Sequence, residues 1–151
     1  MFIKLTNRSF FFEIDAEDFD KIKNYSWHYE PDNKSIRGTI NGKKVFLHRF
    51  LLDFPEGHVD HKNRNRLDLT RNNLRVCPPH LNQLNKRKTS RPTTSQFKGV
   101  SALTNGKFRA RISIGKLKLS LGIFKTEIEA AQAYDTRAKE LHGEFACLNF
   151  N

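Results

Sequence analysis

Short runs of alternating apolar and polar residues, closed by turn residues, fill the first 47 positions of the chain. Such runs predict antiparallel β-strands, here at residues 2–5, 10–14, 27–29, 35–40 and 43–47. Asn7-Arg8 is expected to turn the first hairpin. Asn41-Gly42 predicts a type I′ turn between the last two runs, because that turn needs positive φ at both central residues. Trp27 and the phenylalanines of this region are expected in a hydrophobic core.

Two short helices are predicted in the same region. Asp15 is placed to cap the first helix, with Asp18 in its first turn and Phe19 and Ile22 on one face. The second helix is expected at residues 48–53.

A strand–loop–strand–helix pattern follows. Strands are predicted at residues 58–61 and 74–77, with a polar loop at 62–69 after the first of them. Two prolines at 78–79 open a helix that is expected to reach about Lys86. This order of elements makes a ββα unit.

The last third of the chain has a different pattern. Alternating runs at residues 97–103, 107–114 and 116–124 predict a three-stranded antiparallel sheet. A capping box at residues 126–129 then predicts a helix that ends at Gly143. Its apolar stripe at helical spacing is Ile128, Ala131, Tyr134, Ala138 and Leu141. The predicted fold class is α+β: small antiparallel strands with a ββα unit, then a three-stranded sheet packed on one α-helix.

Composition favours two small modules over one compact globule, because only 37% of the 151 residues are hydrophobic. The stretch KRKTSRPTTS is basic and low in apolar residues, as linkers are. We predict a first domain at residues 1–87 with its ββα core at about 58–87, a basic linker at 88–95, and a second domain at 96–151. The linker is either a solvated hinge or a tether that contacts phosphate.

The formal net charge of +11 is typical of an anion-binding surface, and nucleic acid is the commonest partner of such a surface. A basic surface that is simply solvated is the alternative. Cys77 and Cys147 belong to no CxxC pair, which favours a cytoplasmic protein and argues against a zinc knuckle. We find no apolar run long enough to span a membrane and no signal peptide.

Asp60 and His61 are the first candidates for chemistry, and as neighbours on a strand they point to opposite faces. Phosphodiester hydrolysis needs a base for water, which a histidine supplies near neutral pH, and it needs stabilisation of negative charge by a hard divalent cation. We expect His61 as the base and Asp60 as a metal ligand. A helix packed across the strand would bring Asn82 to the metal, and Asn73 would orient the imidazole.

Each of these residues has a structural alternative. Asp60 and Asn82 would then be a turn cap and a solvated helix residue. His48 is expected as a buried histidine bonded to the backbone, with contact to the scissile region as the other possibility. His58 and His80 are expected on the surface.

The chain resembles the HNH (ββα-metal) nuclease motif, especially its phage homing-endonuclease branch, at Leu47-His48-Arg49, Asp60-His61, Leu67-Asp68, Asn73-Leu74-Arg75 and Asn82. The resemblance implies that His61 is the general base, that Asp60 and Asn82 are metal ligands, and that Asn73 orients His61. An asparagine in the last position keeps an oxygen ligand, which suits one Mg²⁺ or Mn²⁺ per active site better than Zn²⁺. It also implies a protein of the host-cell cytoplasm that uses no small-molecule cofactor.

Residues 95–150 resemble the ethylene-response-factor (Apetala) type of DNA-binding domain, through the segments SQFKGV, GKFRARI, LGIFKTEIEAAQAYDTRAKELHG and ACLNF. The resemblance implies a sheet that lies in the major groove of double-stranded DNA. Alternation agrees, since it places cations on one face of the second and third strands: Lys107, Arg109, Arg111, Lys116 and Lys118. Apolar residues fall on the other face, toward the helix: Phe108, Ala110, Ile112, Leu117 and Leu119.

Basic residues from both halves are candidates for DNA contact: Lys98, Lys107, Arg109, Arg111, Lys116, Lys118, Arg64, Arg66, Lys86, Arg87 and Lys88. Arg109 and Arg111 are favoured for base contact, because arginine can bond guanine bidentately. For Lys98, Lys107 and Lys116, contact to phosphate alone is equally expected.

We therefore predict a small DNA endonuclease that works as a monomer or a homodimer. One site of this kind cuts one strand, so a monomer would nick DNA and a double-strand break would need a second event. The alternatives are a non-enzymatic DNA-binding protein with a degenerate nuclease half, and a nuclease directed at RNA.

Overall fold

The computed structural model describes residues 1–5, 9–86 and 94–150. It forms two compact units, Met1–Pro79 and His80–Asn151. The turn expected at Asn7-Arg8 and the linker residues 88–93 lie outside the described residues. The predicted domain limits therefore stay a prediction, while the boundary between the two units falls between Pro79 and His80.

The described residues form small antiparallel sheets and short helices, which confirms the predicted α+β class. Their strands are β1 (Phe2–Lys4), β2 (Phe11–Glu13), β3 (Trp27–Glu30), β4 (Ser35–Ile40), β5 (Lys43–Phe46), β6 (His58–His61), β7 (Leu74–Cys77), β8 (Val100–Ala102), β9 (Phe108–Ile114) and β10 (Leu117–Phe124). Their α-helices are α1 (Phe19–Ile22), α2 (Leu47–Leu51), α3 (Pro79–Asn82) and α4 (Glu127–His142). None of these helices has both the length and the apolar character that a membrane span requires.

The first unit contains a β1–β2 hairpin, a three-stranded sheet in the order β3–β4–β5, and a β6–β7 hairpin. Asn41 has φ 49° and Gly42 has φ 75°, so the predicted turn between β4 and β5 is present. One core joins all these parts and includes Trp27, Leu47 and Leu74. This shared core places α2 and the β6–β7 hairpin side by side.

The phenylalanines of the first unit divide between core and surface, which corrects the expectation that they are core residues. Phe12 is buried, but Phe2, Phe10, Phe11 and Phe19 are exposed. The β1–β2 hairpin has only two strands, and Phe12 pairs with Ile3 on its covered face. Phe2 and Phe11 belong to its other face, which no further element in the described part of the chain covers, and they therefore lie in solvent.

Asp15 precedes a 3-10 turn at Ala16–Asp18 that leads into α1, but its side chain does not cap that turn. Its Oδ2 accepts a hydrogen bond from the backbone N–H of Arg71 at 2.7 Å. The Arg71 guanidinium in turn donates to both carboxylate oxygens of Asp18, which is buried. The acids at the start of α1 thus hold the loop between β6 and β7.

The second unit is a sheet in the order β10–β9–β8 with α4 packed on one face. The predicted capping box is present, since the Thr126 side chain accepts from Glu129 N and the Glu129 side chain accepts from Thr126 N. Gly143 ends α4 with φ 50°. The predicted apolar stripe is wrong at its first residue: Ile128 is 55% exposed, and Ala130 is buried instead.

The predicted helix at 78–86 is also too long, because α3 ends at Asn82. The chain then turns, with Leu84 N bonded to Leu81 O and Lys86 N bonded to Gln83 O. These bonds span three residues and do not continue an α-helix.

Candidate active site and nucleic-acid interface

Asp60 and His61 end β6, and each is only 8% exposed. Neighbouring side chains on a strand point to opposite faces, so both faces of this strand end are covered. In the antiparallel hairpin, Asp60 lies opposite Arg75 and His61 lies opposite Leu74. The predicted base and the predicted metal ligand are thus held together by β-structure rather than by a flexible loop.

Asp60 is held by Arg75, a partner that the sequence did not lead us to predict. Its Oδ2 accepts two hydrogen bonds from the guanidinium, from Nε at 3.0 Å and from Nη2 at 2.7 Å. Arg75 is itself only 9% exposed. The sequence did hold a signal for this pair: the strands predicted at 58–61 and 74–77, aligned end to end, set opposite charges across from each other.

His61 is a neutral imidazole at pH 7. Burial, and then the positive charge of Arg66, lower its pKa to about 4, against the smaller opposing effects of Asp60 and Asp68. A neutral imidazole nitrogen can accept a proton, as the predicted base must.

His48 on α2 packs against this imidazole. The ring centroids of His48 and His61 are 5.5 Å apart with an angle of 73° between the planes, and the other neighbour of the His48 ring is Phe46, stacked at 5.3 Å. Burial, and then the charges of His61, Arg49 and Arg66, lower the pKa of His48 to about 3. His48 therefore acts as a packing ring beside the candidate base.

Asn73 is buried and shapes the loop that follows His61. Its Oδ1 accepts a hydrogen bond from Asn63 N at 2.9 Å, and its Nδ2 donates to Asp68 O at 2.8 Å. We expected the amide to bond the imidazole, whereas these two bonds connect backbone atoms across the loop. Asn73 thus braces the loop that follows His61.

The loop is also attached to the first hairpin. Glu13 N donates to Leu67 O at 2.7 Å, and Leu69 N donates to Glu13 O at 2.8 Å. These bonds form a parallel bridge between Glu13 and Asp68. The connection between His61 and Asn73 is therefore held at both its ends and its middle.

Asn82 is the last residue of α3 and belongs to the second unit. The structure brings Asp60, His61 and Asn73 together in the first unit, and the place of Asn82 as a metal ligand stays a prediction. Among the described residues, no three His, Cys, Asp or Glu side chains are grouped as a metal site. The predicted ligands are one carboxylate and one amide, so they do not form such a group.

The sheet of the second unit has the two predicted faces. Ala110 and Ile112 are buried toward α4, whereas Arg111 between them is exposed. Arg109 lies between Ser101 of β8 and Ile123 of β10 on the face away from the helix. Arg109 and Arg111 thus belong to the face of the sheet that the helix does not cover.

Two cations share this face at the far end of the β9–β10 hairpin. Arg111 lies opposite Ser120, and Lys118 lies opposite Ser113. Leu117, which we expected against the helix, is 60% exposed, because it pairs with the exposed Ile114 at the hairpin end. Lys107 and Lys116 stand just before β9 and β10.

Two other predicted DNA contacts, Lys98 and Arg66, donate hydrogen bonds inside the protein. The Lys98 ammonium donates to the carbonyls of Leu84 at 2.8 Å and Lys86 at 2.7 Å. The Arg66 guanidinium donates to Asn33 O. Arg64, in the same loop, has φ 66°. Arg87 and Lys88 lie outside the described residues.

Known proteins match the chain over most of its length or over a shorter part of it. An uncharacterized HNH endonuclease of Acanthamoeba polyphaga mimivirus is 30% identical over 143 residues, which cover 90% of this chain and 73% of that protein. APETALA2-like protein 2 of Oryza sativa subsp. indica, and that of subsp. japonica, are 42% identical over 59 residues, which cover 38% of this chain and 14% of the rice proteins. No protein-family model matches the chain.

Proposed function

The chain belongs to the HNH endonuclease family, and on that premise we propose that it hydrolyses DNA phosphodiester bonds with the help of one divalent cation. The observation that carries this proposal is the pair at the end of β6, where a buried carboxylate and a neutral imidazole are adjacent. A carboxylate and a neutral base, fixed side by side, are what a one-metal nuclease requires.

The donor set fits a hard cation. Asp60 and Asn82 offer a carboxylate and an amide oxygen, and oxygen ligands suit Mg²⁺ or Mn²⁺. When bound, the cation would stabilise the charge that develops on the phosphate and on the leaving 3′ oxygen. Asp60 and Asn82 are the residues that we propose as its protein ligands.

His61 is the proposed base. Because its pKa is low, the imidazole is unprotonated at neutral pH and can accept a proton from water. Its ring is kept in place by His48, and the loop beyond it is braced by Asn73. These two residues are proposed to position the base.

Double-stranded DNA is the proposed substrate, and the exposed face of the β8–β9–β10 sheet is its proposed binding surface. Arg109 and Arg111 project from that face and are proposed to contact bases. Lys107, Lys116 and Lys118 border it and are suited to phosphate. The rice relatives, which match part of the chain, carry the name of a DNA-binding family and support this assignment.

Lys98 fits this surface less well. Its ammonium would have to give up two carbonyl bonds before reaching DNA. Lys86 and the loop residues Arg64 and Arg66, with Arg87 and Lys88, remain proposed phosphate contacts outside the sheet.

We further propose that the protein is a homing endonuclease of the phage type. The resemblance of its first half to that branch supports this. A monomer would nick its target, and a homodimer would cut both strands.

Cleavage of a randomised duplex DNA library tests the proposed function. We expect the full chain to cut with Mg²⁺ and not with EDTA, and we expect His61→Ala to lose cleavage while keeping DNA binding. His58→Ala, at the exposed start of the same strand, is the matched control and should cut like the wild type.

The same experiment separates the alternatives. A wild type that binds duplex DNA and never cuts it would be a non-enzymatic DNA-binding protein. Faster cleavage of an RNA library than of DNA would make it a nuclease directed at RNA. Equal loss of binding and cleavage in His61→Ala would mean that His61 is structural.

A further inference from the structure

We propose that Arg75 is the resident counter-cation of Asp60 and that it sets the affinity of the site for its divalent metal. This inference rests on the proposed function, because it concerns the carboxylate assigned there as a metal ligand. It gives a role to Arg75, a residue to which the resemblance to the HNH motif assigns none.

The contact between the two side chains is close and buried. Both bonds from the guanidinium, at 3.0 Å and 2.7 Å, go to the same oxygen of Asp60. The two residues lie directly opposite each other in the β6–β7 hairpin, so the backbone holds the pair in register. Arg75 therefore contacts the carboxylate as a fixed part of the strand pair and not as a mobile surface side chain.

This arrangement explains how the site is stable without metal. An ionised carboxylate that is buried without a cation is strongly unfavourable, and removal of one partner from such a pair is destabilising. Arg75 supplies the positive charge and two charge-assisted hydrogen bonds. The hairpin can therefore fold around Asp60 before any metal arrives.

The same arrangement weakens metal binding. A divalent cation on Asp60 would either share the carboxylate with the guanidinium or displace it. Sharing brings two cations close together in surroundings of low polarity, where their repulsion is weakly screened. Displacement breaks both hydrogen bonds. In either case Arg75 raises the metal concentration that the site needs.

Mn²⁺ binding to the full chain, followed by the loss of the free-ion EPR signal, tests the proposal. We expect Arg75→Met, which keeps an unbranched apolar side chain but removes the guanidinium and its charge, to bind Mn²⁺ about tenfold more tightly than the wild type, or tighter still. Arg37→Met is the matched control: it removes an arginine–carboxylate pair, with Glu30, from the same unit. Its Mn²⁺ affinity should equal that of the wild type.

A measurement on the wild type covers the case in which Arg75→Met does not fold. In ¹⁵N-labelled protein, the Nε–H resonance of Arg75 should move as Mg²⁺ is added, because the carboxylate that it bonds changes partner. A resonance that stays in place at Mg²⁺ concentrations that displace bound Mn²⁺ would overturn the proposal. An unchanged Mn²⁺ affinity in folded Arg75→Met would overturn it as well.

Failure of this inference can be told apart from failure of the proposed function. Asp60→Ala that binds Mn²⁺ as tightly as the wild type would show that Asp60 is not a ligand, which contradicts the proposed active site itself. Loss of Mn²⁺ binding in Asp60→Ala, with no gain in Arg75→Met, would leave the nuclease site standing and remove only the role of Arg75.

Discussion

The imidazole of His48 meets that of His61 nearly edge to face, with 5.5 Å between the ring centroids. Burial is the main cause that keeps both rings neutral, and it lowers their pKa values to about 3 and about 4. The packing that fixes the candidate base therefore depends on a second ring that must also stay uncharged.

This relationship predicts that the first unit loses stability in mild acid. Both folded pKa values lie below the ordinary value of 6.5, so the unfolded chain binds more protons between pH 6.5 and 4. Stability should be full above pH 6.5 and fall as the pH drops, by about 1.4 kcal/mol per pH unit for each proton taken up on unfolding.

Urea unfolding at pH 7.5, 6.0 and 5.0, followed by fluorescence of Trp27 in the core of the first unit, measures this slope. His48→Phe keeps a ring in the same place and should give a shallower pH dependence. His28→Phe makes the same exchange on β3 of the same unit and is the control for the loss of a histidine. An identical slope in His48→Phe and the wild type would contradict the prediction.

Asn73→Ala should loosen the loop after His61 and slow cleavage while DNA binding stays. The variant loses the part-buried bonds to Asn63 N and Asp68 O, and a hydrogen bond of this kind contributes about 0.5–1.5 kcal/mol to stability. Hydrogen exchange gives a direct readout: the amide of Asn63 should exchange faster. The amide of Ile14, which bonds Met1 O on the other side of the hairpin, should not change. Unchanged protection of Asn63 would show that the side chain of Asn73 does not brace the loop.

Arg109→Ala should weaken binding to the best DNA site by about 1–3 kcal/mol and relax the preference at one position. The reason is that Arg109 projects from the centre of the exposed sheet face, between Ser101 and Ile123. Lys118→Ala, nearer the hairpin end, serves as the comparison and should weaken all sequences alike. Selection of bound sequences from a randomised DNA library, followed by affinity measurements on the selected sequences, distinguishes the two patterns. A uniform loss of affinity in Arg109→Ala would make Arg109 a phosphate contact.

Binding of DNA should also fall steeply as salt rises. Each phosphate neutralised by a lysine or arginine contributes a log–log slope of about −0.9. The wild type, with its net charge of +11, should show a slope equivalent to several phosphates, and Lys118→Ala should lower it by about one contact. Fluorescence anisotropy from about 50 to 200 mM salt measures it. A flat response would rule out the nucleic-acid partner.

Gly99→Ala should strongly destabilise the second unit, whereas Gly106→Ala should not. A Cβ at Gly99 would lie 2.0 Å from Cδ2 of the Tyr134 ring, and its φ is +78°. At Gly106 φ is +75°, but nothing lies within 4 Å. We expect about 1–2 kcal/mol of backbone strain in Gly106→Ala, and about 3 kcal/mol or more in Gly99→Ala, where overlap with the ring is added. Calorimetry of both variants checks this, and equal losses would mean that the ring moves aside.

The strands were predictable because turn residues mark their ends. Asn41-Gly42 and the capping box at Thr126 act through their own backbone geometry, which a local pattern specifies. The exposure of Phe2 and Ile128 was not predictable in this way. Periodicity shows which residues share a face, but not how far a neighbouring element covers it.

Within the candidate site, adjacency in sequence was enough to predict that Asp60 and His61 lie together. The contact of His48 with His61 depends on where α2 packs, which is a property of the whole core. The end of α3 at Asn82 has a similar cause: beyond it the carbonyls of Leu84 and Lys86 bond the distant Lys98 and not another turn of helix. Contacts between residues far apart in the chain cannot be read from the local pattern of apolar, polar and turn residues.

The bridge between Glu13 and Asp68 bears on how this nuclease unit can be moved between proteins. The loop that follows the candidate base is completed by a strand some fifty positions earlier in the chain. A graft of residues 58–77 into another scaffold would carry Asp60, His61 and Asn73 but leave behind the backbone to which their loop is bonded. The smallest segment that can be transplanted with its loop contacts intact therefore begins at the β1–β2 hairpin and not at β6.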